Sequence, residues 1–185
     1  ASFVVLGAGL GVTVVQRAHA EMARVESDLI AAFMSDTLKG AGPSVARGRD
    51  TTMLREMMNE ASERIDRGEL RHAPSAEQRL RRTIGMTYFD LDAYGDALRM
   101  LEEGARLARE RHAGDHMEVA ESEGDLAVVL GGCGEYERAE ALARRALEMK
   151  TRLLPAGHPE VAVSLNNLVD ICRLRGSFEE AEPLA

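Results

Sequence analysis

Tryptophan is absent from the sequence, cysteine occurs twice, and aromatic side chains make up only 4% of the 185 residues. Cys133 and Cys172 stand alone with no C-x-x-C spacing, which argues against a disulfide framework or a zinc site. A basic excess is missing too, since the formal net charge is -8, and this argues against a general nucleic-acid binder. The abundant residues, which are Ala, Leu, Glu, Arg and Met, favour helix. We therefore expect an all-α fold.

Motifs for catalysis are also missing. The stretch "GGCGEY" at 131–136 lacks the Lys-Ser/Thr pair of a phosphate-binding loop, and no H-R-D, D-F-G or V-A-I-K signature occurs. His112 and His116 have H-x-x-x-H spacing, but we identify no third ligand near them and predict no metal site. We interpret four acidic residues as a solvent-exposed helix face: Glu118, Glu121, Glu123 and Asp125. The sequence therefore predicts a protein that is not an enzyme and uses no cofactor.

An internal repeat with a period of 42 residues organises the chain from about Ser75 onward. It is visible in three stretches: "IGMTYFDLDAYGDAL" from Ile84, "LAVVLGGCGEYERAE" from Leu126 and "LVDICRLRGSFEEAE" from Leu168. One alanine and one aromatic residue fall in register, at Ala97, Ala139 and Ala181 and at Tyr94, Tyr136 and Phe178. We expect the alanine to lie where two helices touch, with the aromatic ring beside it.

Apolar residues recur at helical spacing on both sides of each turn, so each repeat predicts a pair of helices. In the second repeat the first helix carries Val119, Leu126, Val129 and Leu130, and the second carries Ala139, Leu142, Ala146, Leu147 and Met149. Gly134 and Gly176 occupy the same place in the turn, where a left-handed conformation ends a helix, and Asp92 stands there in the first repeat. His116 and His158 also recur, which favours a structural role for both.

An alanine with an aromatic residue three places before it, and with "IG", "LA" or "LV" thirteen places before it, resembles the tetratricopeptide repeat. The long period and the wording "HPEVAVSLNNL" at 158–168 are similar to the kinesin-light-chain variety. The resemblance implies a right-handed superhelical array of helix-turn-helix units at about 75–116, 117–158 and 159–185, the last one cut inside its second helix. It also implies a scaffold for a protein or peptide ligand.

Stacked helix pairs form a concave wall from the first helix of each unit. Alignment of the units places ten residues there: Arg79, Arg82, Met86, Phe89, Asp125, Val128, Asn166, Asn167, Asp170 and Arg173. In the resembling family the asparagine of "LNNL" often faces the ligand, and Asn166 and Asn167 match it. Arginine can hold a carboxylate, so we expect Arg79, Arg82 and Arg173 to attract an acidic peptide. A solvated face without a ligand is the alternative.

The segment from Phe33 to Asp66 resembles the linker of bacterial membrane-anchored Ser/Thr protein kinases. The resemblance implies a bacterial, membrane-associated regulatory region whose kinase domain lies upstream. A kinase fragment used mainly for oligomerisation is the alternative. The residues themselves predict a juxtamembrane helix and linker at 17–49, and at 50–74 a loop and a helix that caps the array. The apolar face of that helix comprises Leu54, Met57, Met58, Ala61 and Ile65.

The first fifteen residues carry no charge. We interpret 1–16 as part of a truncated transmembrane helix, because a full span needs about 20 residues; a secretory signal and a buried core helix are the alternatives. Gly7, Gly9 and Gly11 do not match the G-x-G-x-x-G spacing of a dinucleotide turn, so a nucleotide-binding enzyme is a distant alternative. The spacing of Gly7 and Gly11 would let two such helices pack closely, which makes a homodimer an option.

Overall fold

The computed structural model describes residues 21–22, 24–34 and 51–177, and the regular elements among them are all helices. Helix α1 covers 24–34, and six helices follow: α2 (Thr51–Asp66), α3 (Pro74–Asp90), α4 (Tyr94–Arg111), α5 (Met117–Gly132), α6 (Tyr136–Leu153) and α7 (Pro159–Arg175). None of the helices in this described part is both long enough and apolar enough to cross a membrane. The segment 1–16 and the repeat positions Phe178 and Ala181 lie outside the described residues.

The helices pack in the order of the repeat. Helix α3 pairs with α4 and α5 pairs with α6, while α4 packs on α5 and α6 packs on α7. Further contacts join α3 to α5 and α5 to α7, so the first helices of the three units lie side by side. Helix α2 packs against α3 at the start of the array. The all-α array of paired helices that the sequence indicates is confirmed.

The same backbone conformation follows the first helix of each unit. Gly134 and Gly176 both have a φ of 83°, and Asp92 has a φ of 56°. Glycine adopts this left-handed conformation without a steric penalty, and aspartate is one of the few other residues that tolerate it. The Asp92 carboxylate also accepts a hydrogen bond of 3.0 Å from the hydroxyl of Tyr94. The turn positions read from the repeat are confirmed.

Histidines cap the starts of α5 and α7. Nδ1 of His116 accepts a hydrogen bond from the backbone N–H of Glu118, and Nδ1 of His158 accepts one from the N–H of Glu160, both at 3.2 Å. A helix start leaves several N–H groups without partners, and each ring satisfies one of them. The structural role predicted for both histidines is confirmed.

Small residues set how closely the helices approach. Ala97 and Ala139 are fully buried, and a Cβ added to Gly131 would lie 4.0 Å from the Cβ of Ala139. The expected helix contact at the repeat alanine is therefore confirmed. The aromatic residue differs from the expectation, because Tyr94 is 39% exposed. Its ring packs edge-on against Phe89, with 5.8 Å between ring centroids, and does not enter the interior.

The start of the array is covered by α2. Its buried residues include Met57, Met58, Ala61 and Ile65, as the sequence indicated. Leu54 was placed on the same face, but it is 38% exposed, whereas its neighbour Met53 packs against the core. Phe33 of α1 is buried beneath the Arg64 guanidinium of α2, which lies 4.4 Å from the ring centroid. This cation–π contact helps to hold α1 on α2.

Candidate functional site

Arg82 joins the first two units across the wall formed by α3, α5 and α7. Its guanidinium donates hydrogen bonds to the carboxylates of Asp125 and Glu121 on α5. Burial lowers the pKa of Arg82, but the two carboxylates raise it by more, so the net pKa is raised and the side chain stays charged. The positive charge is thus matched within the protein. Arg82 connects two units, a role that the sequence analysis did not anticipate.

The other two arginines predicted on the wall also have acidic neighbours. Arg79 lies 3.4 Å from Glu26 of α1, and Arg173 lies 3.8 Å from Asp170, one turn away on α7. Both arginines are more than half exposed, and exposed ion pairs contribute little to stability. Each positive charge predicted on the wall therefore has an acidic neighbour among the described residues.

The three apolar residues of the wall are half-buried. Met86 packs against the core, and Val128 lies on α5 between Asp125 and the helix end. Phe89 reaches across from α3 to α5, where its ring lies over Gly132. A Cβ on that glycine would come within 2.8 Å of the ring. The ring therefore fills the junction between two units.

Among the described residues, nothing covers the α7 end of the wall. Asn166 and Asp170 are exposed, and Asn167 is half-buried. The side chains of Asn166 and Asn167 make no hydrogen bond with any described residue, and Asp170 has Arg173 as its ion-pair neighbour there. Amide side chains both donate and accept hydrogen bonds. Within the described part of the chain, this end of the wall therefore offers unpaired polar groups to a ligand.

A cluster of possible metal ligands lies where α4 meets α5. His112, His116 and Glu118 each offer an atom within 4.8 Å of the others, so a third ligand does lie near the two histidines. The two imidazole rings stack with centroids 3.4 Å apart and planes 6° from parallel, so their in-plane lone pairs do not converge on one point. The Glu118 carboxylate accepts a hydrogen bond of 2.8 Å from Arg111. These contacts suit a capped helix start better than a metal centre.

The acidic residues of α5 do not form a solvent-exposed face. Glu123 is fully buried, and Glu118, Glu121 and Asp125 are half-buried. Oε1 of Glu123 accepts hydrogen bonds from Arg109 of α4 at 3.2 Å and from Arg145 of α6 at 2.9 Å. The burial of Glu123 has a signal in the sequence, because position 123 falls on the apolar stripe of α5. A charged residue on such a stripe needs a buried partner.

A cavity of about 1350 Å³ lies along α4, between the end of α2 and helix α6. We call it the arginine groove. Its rim includes Arg99, Arg106 and Arg109 of α4 and Arg138 and Arg145 of α6. None of the ten residues predicted on the wall lines it. The arginine groove was not predicted from the sequence, because the prediction of a binding surface concerned only the first helix of each unit.

The comparisons with known proteins agree with this architecture. A sequence model described as tetratricopeptide repeat matches residues 77–152 and 127–185, which together exceed half of the chain. No curated protein sequence matches the chain. Among solved structures, the chain is similar to a variant of a Podosopora anserina protein that is described as a kinesin light chain with nearly identical TPR-like repeats. The two share 14% identity with a TM-score of 0.53, and the match covers 92% of this chain and 90% of that one. BtubC (BKLC) from P. vanneervenii has 16% identity, a TM-score of 0.58, and coverage of 92% and 72%. At these identities the likeness concerns the fold.

Proposed function

Because the chain belongs to the tetratricopeptide repeat family, we propose that it is a protein-interaction scaffold that binds a peptide segment of a partner along the α3–α5–α7 wall. The observation that carries this proposal is the open α7 end, where Asn166 and Asn167 have no partner among the described residues and face solvent or are half-buried. An extended peptide carries N–H and C=O groups that such amides can bind.

The rest of the wall would serve as a rigid support. Arg82 with its two carboxylates, and Phe89 over Gly132, hold α3 and α5 together. A ligand would therefore meet a preformed surface and lose less free energy to reorganisation of the protein. Each hydrogen bond from an asparagine would contribute about 0.5–1.5 kcal/mol. Selectivity would come from hydrogen bonds and shape, since each arginine predicted on the wall has an acidic neighbour.

A peptide array probed with the labelled chain tests this proposal. We expect Asn166→Ala combined with Asn167→Ala to lose the peptides that the parent retains, while the melting temperature stays within a few degrees. Glu137→Ala is the matched control, because Glu137 is exposed on α6 and forms no ion pair with a described residue. If the double variant keeps the same peptides as the parent, the wall is not the binding surface.

The membrane tether and the link to a kinase are a separate proposal. It is supported by the uncharged stretch at 1–15 and by the resemblance of 33–66 to a kinase linker. Fractionation of the source cells tests it: the native protein should sediment with membranes and resist a carbonate wash. Recovery in the wash would contradict the tether. A dimer that persists at low concentration in analytical ultracentrifugation would favour oligomerisation as the main role.

A further inference from the structure

We propose that the arginine groove is a second docking surface, and that its occupant is an acidic, leucine-containing segment of a protein partner. The groove lies among the second helices of the array, while the wall of the proposed function is built from the first helices. Its occupant would therefore bind independently of a ligand on that wall.

The lining of the groove is rich in arginine, and three of these arginines are not fully matched by carboxylates. Four of the seven, Arg81, Arg99, Arg106 and Arg138, each pair with two carboxylates. Arg109 and Arg145 share Glu123, and Arg71 has no ion pair within the described residues. Incompletely paired positive charge in a concavity concentrates anions at that place on the surface. Charge complementarity therefore selects an acidic occupant.

The uncompensated charge is centred where α4 faces α6. Arg109 and Arg145 both donate to Oε1 of Glu123, so two guanidinium groups share one carboxylate. The second oxygen of Glu123 is buried and has no hydrogen-bond partner among the described residues. The arginine side chains remain 42% and 57% exposed. Each keeps N–H groups that can donate to a ligand carboxylate in the paired geometry that guanidinium favours.

Other arginines of the groove differ in how firmly ion pairs with the protein's own carboxylates hold them. Arg81 is buried and held by Glu77 and Asp66, so it stabilises the floor. Arg138 is exposed and pairs with Glu135 and Glu102. Arg71 forms no ion pair within the described part of the chain. Arg71 and Arg138 can therefore turn toward a ligand without exposing a buried charge.

The apolar part of the lining explains the leucines of the proposed occupant. Leu98 and Leu107 of α4 and Leu142 of α6 are half-buried in the groove, and Leu126 of α5 lies at its base. A segment that alternates acidic and leucine side chains would cover these surfaces while it paired with the arginines. A phosphate backbone offers no apolar side chains to these leucines, which disfavours nucleic acid.

Fluorescence anisotropy with the whole chain tests the proposal. The probe is a labelled peptide of alternating Glu and Leu, compared with the same peptide carrying Lys for Glu and with a labelled oligothymidine. We expect the Glu peptide to bind at least about tenfold more tightly than either, which corresponds to about 1.4 kcal/mol. Binding should weaken strongly when sodium chloride rises from about 0.1 M to about 1 M, because the screening length falls from about 10 Å to about 3 Å.

Variants locate the peptide on the protein. Arg145→Gln should weaken binding of the Glu peptide several-fold. Arg144→Gln is the control and should leave binding unchanged, because Arg144 is adjacent on α6 but pairs with Glu140 and does not line the groove. If Arg145→Gln unfolds the protein, the double variant Arg71→Gln with Arg138→Gln replaces it in the test. We expect this double variant to weaken binding of the Glu peptide to the same degree. Equal binding of the Glu and Lys peptides, tighter binding of the oligothymidine, or equal loss in Arg144→Gln would overturn the inference. So would loss of the Glu peptide only when Asn166 and Asn167 are changed, which would place it on the wall instead.

Discussion

Two kinds of small residue limit substitution in this array for different reasons. Ala139 is fully buried, so a larger side chain has no space. At Gly134 no described residue lies within 4 Å of the position that a Cβ would take, but the φ of 83° lies in the left-handed region. Gly95, near the start of α4, has the same open space and no positive φ. Space and backbone conformation can therefore be tested separately.

Ala139→Leu is expected to lower the free energy of unfolding by about 1–3 kcal/mol, because the added carbons must displace neighbours in a packed helix contact. Urea unfolding followed by circular dichroism measures the change. Ala141→Leu is the control, since Ala141 is exposed on the same helix. An equal effect of both substitutions would show that close packing at Ala139 is not the cause.

The two glycines should respond to alanine with opposite signs. Gly134→Ala should lower the free energy of unfolding by about 1–2 kcal/mol, which is the penalty for a side chain in the left-handed region. Gly95→Ala should raise it by about 0.5–1 kcal/mol, because alanine loses less backbone entropy in a helix. Thermal and urea unfolding of both variants measure these changes. A loss of stability in both would contradict the assignment of open space around Gly95.

At the scale of the helix, the connection from α4 to α5 is held by a small polar network around Glu118. Its carboxylate lies 3.0 Å from Nε2 of His112 and 2.8 Å from Arg111, while its backbone N–H is capped by His116. Burial raises the pKa of Glu118, but the hydrogen bond with His112 and the charge of Arg111 outweigh burial, and the pKa is lowered. The ionised carboxylate is therefore the form that stabilises the folded state.

This lowered pKa predicts a pH dependence of stability. Glu118 contributes stability above its unfolded-state pKa of about 4.3, and that contribution is lost as the pH falls through the lower folded-state pKa. Glu118→Gln should therefore be less stable than the parent at neutral pH, with a difference that shrinks in acid. Urea unfolding between neutral pH and pH of about 3 measures it. The exposed Glu137→Gln should track the parent throughout, and a constant deficit of Glu118→Gln at every pH would argue against the linkage.

Across the whole molecule, successive unit junctions carry buried charges of opposite sign. Arg81 and Glu123 are equivalent by the repeat, 42 residues apart, and both are buried. Arg81 lies 3.0 Å from Glu77 and 2.9 Å from Asp66 of α2. Glu123 instead contacts Arg109 of α4 and Arg145 of α6. A unit placed at the wrong junction would bury like charges together. These residues therefore favour one order of the units.

Charge reversal tests this arrangement. Glu123→Arg should lower the free energy of unfolding by about 3–5 kcal/mol, because it buries a positive charge beside Arg109 and Arg145. Adding Arg109→Glu and Arg145→Glu should restore much of the loss, since the junction would then resemble the one around Arg81. Urea unfolding of the single and triple variants measures both steps. A triple variant no more stable than the single one would show that the charge pattern does not specify the junction.

The sequence by itself determined the features that depend on neighbours along the chain. The helix pairs, the turns at Asp92, Gly134 and Gly176, and the buried Ala139 all follow from a pattern that repeats at one period. The periodicity is informative because each unit meets the same local requirements of apolar spacing, helix termination and close approach. The histidine caps belong to this group, since each ring binds an N–H two residues away.

Only the tertiary structure decided the partners of the long charged side chains. Arg82 reaches residues about forty positions away on α5, and Arg109 and Arg145 meet at Glu123 from two different helices. Such contacts depend on the separation and rotation of packed helices, which hydrophobic periodicity does not specify. For the same reason the sequence did not reveal the ion-pair partners of Arg79, Arg82 and Arg173, and it predicted a solvent-exposed acidic face on α5. Packing instead paired those charges and left the arginine groove among the second helices.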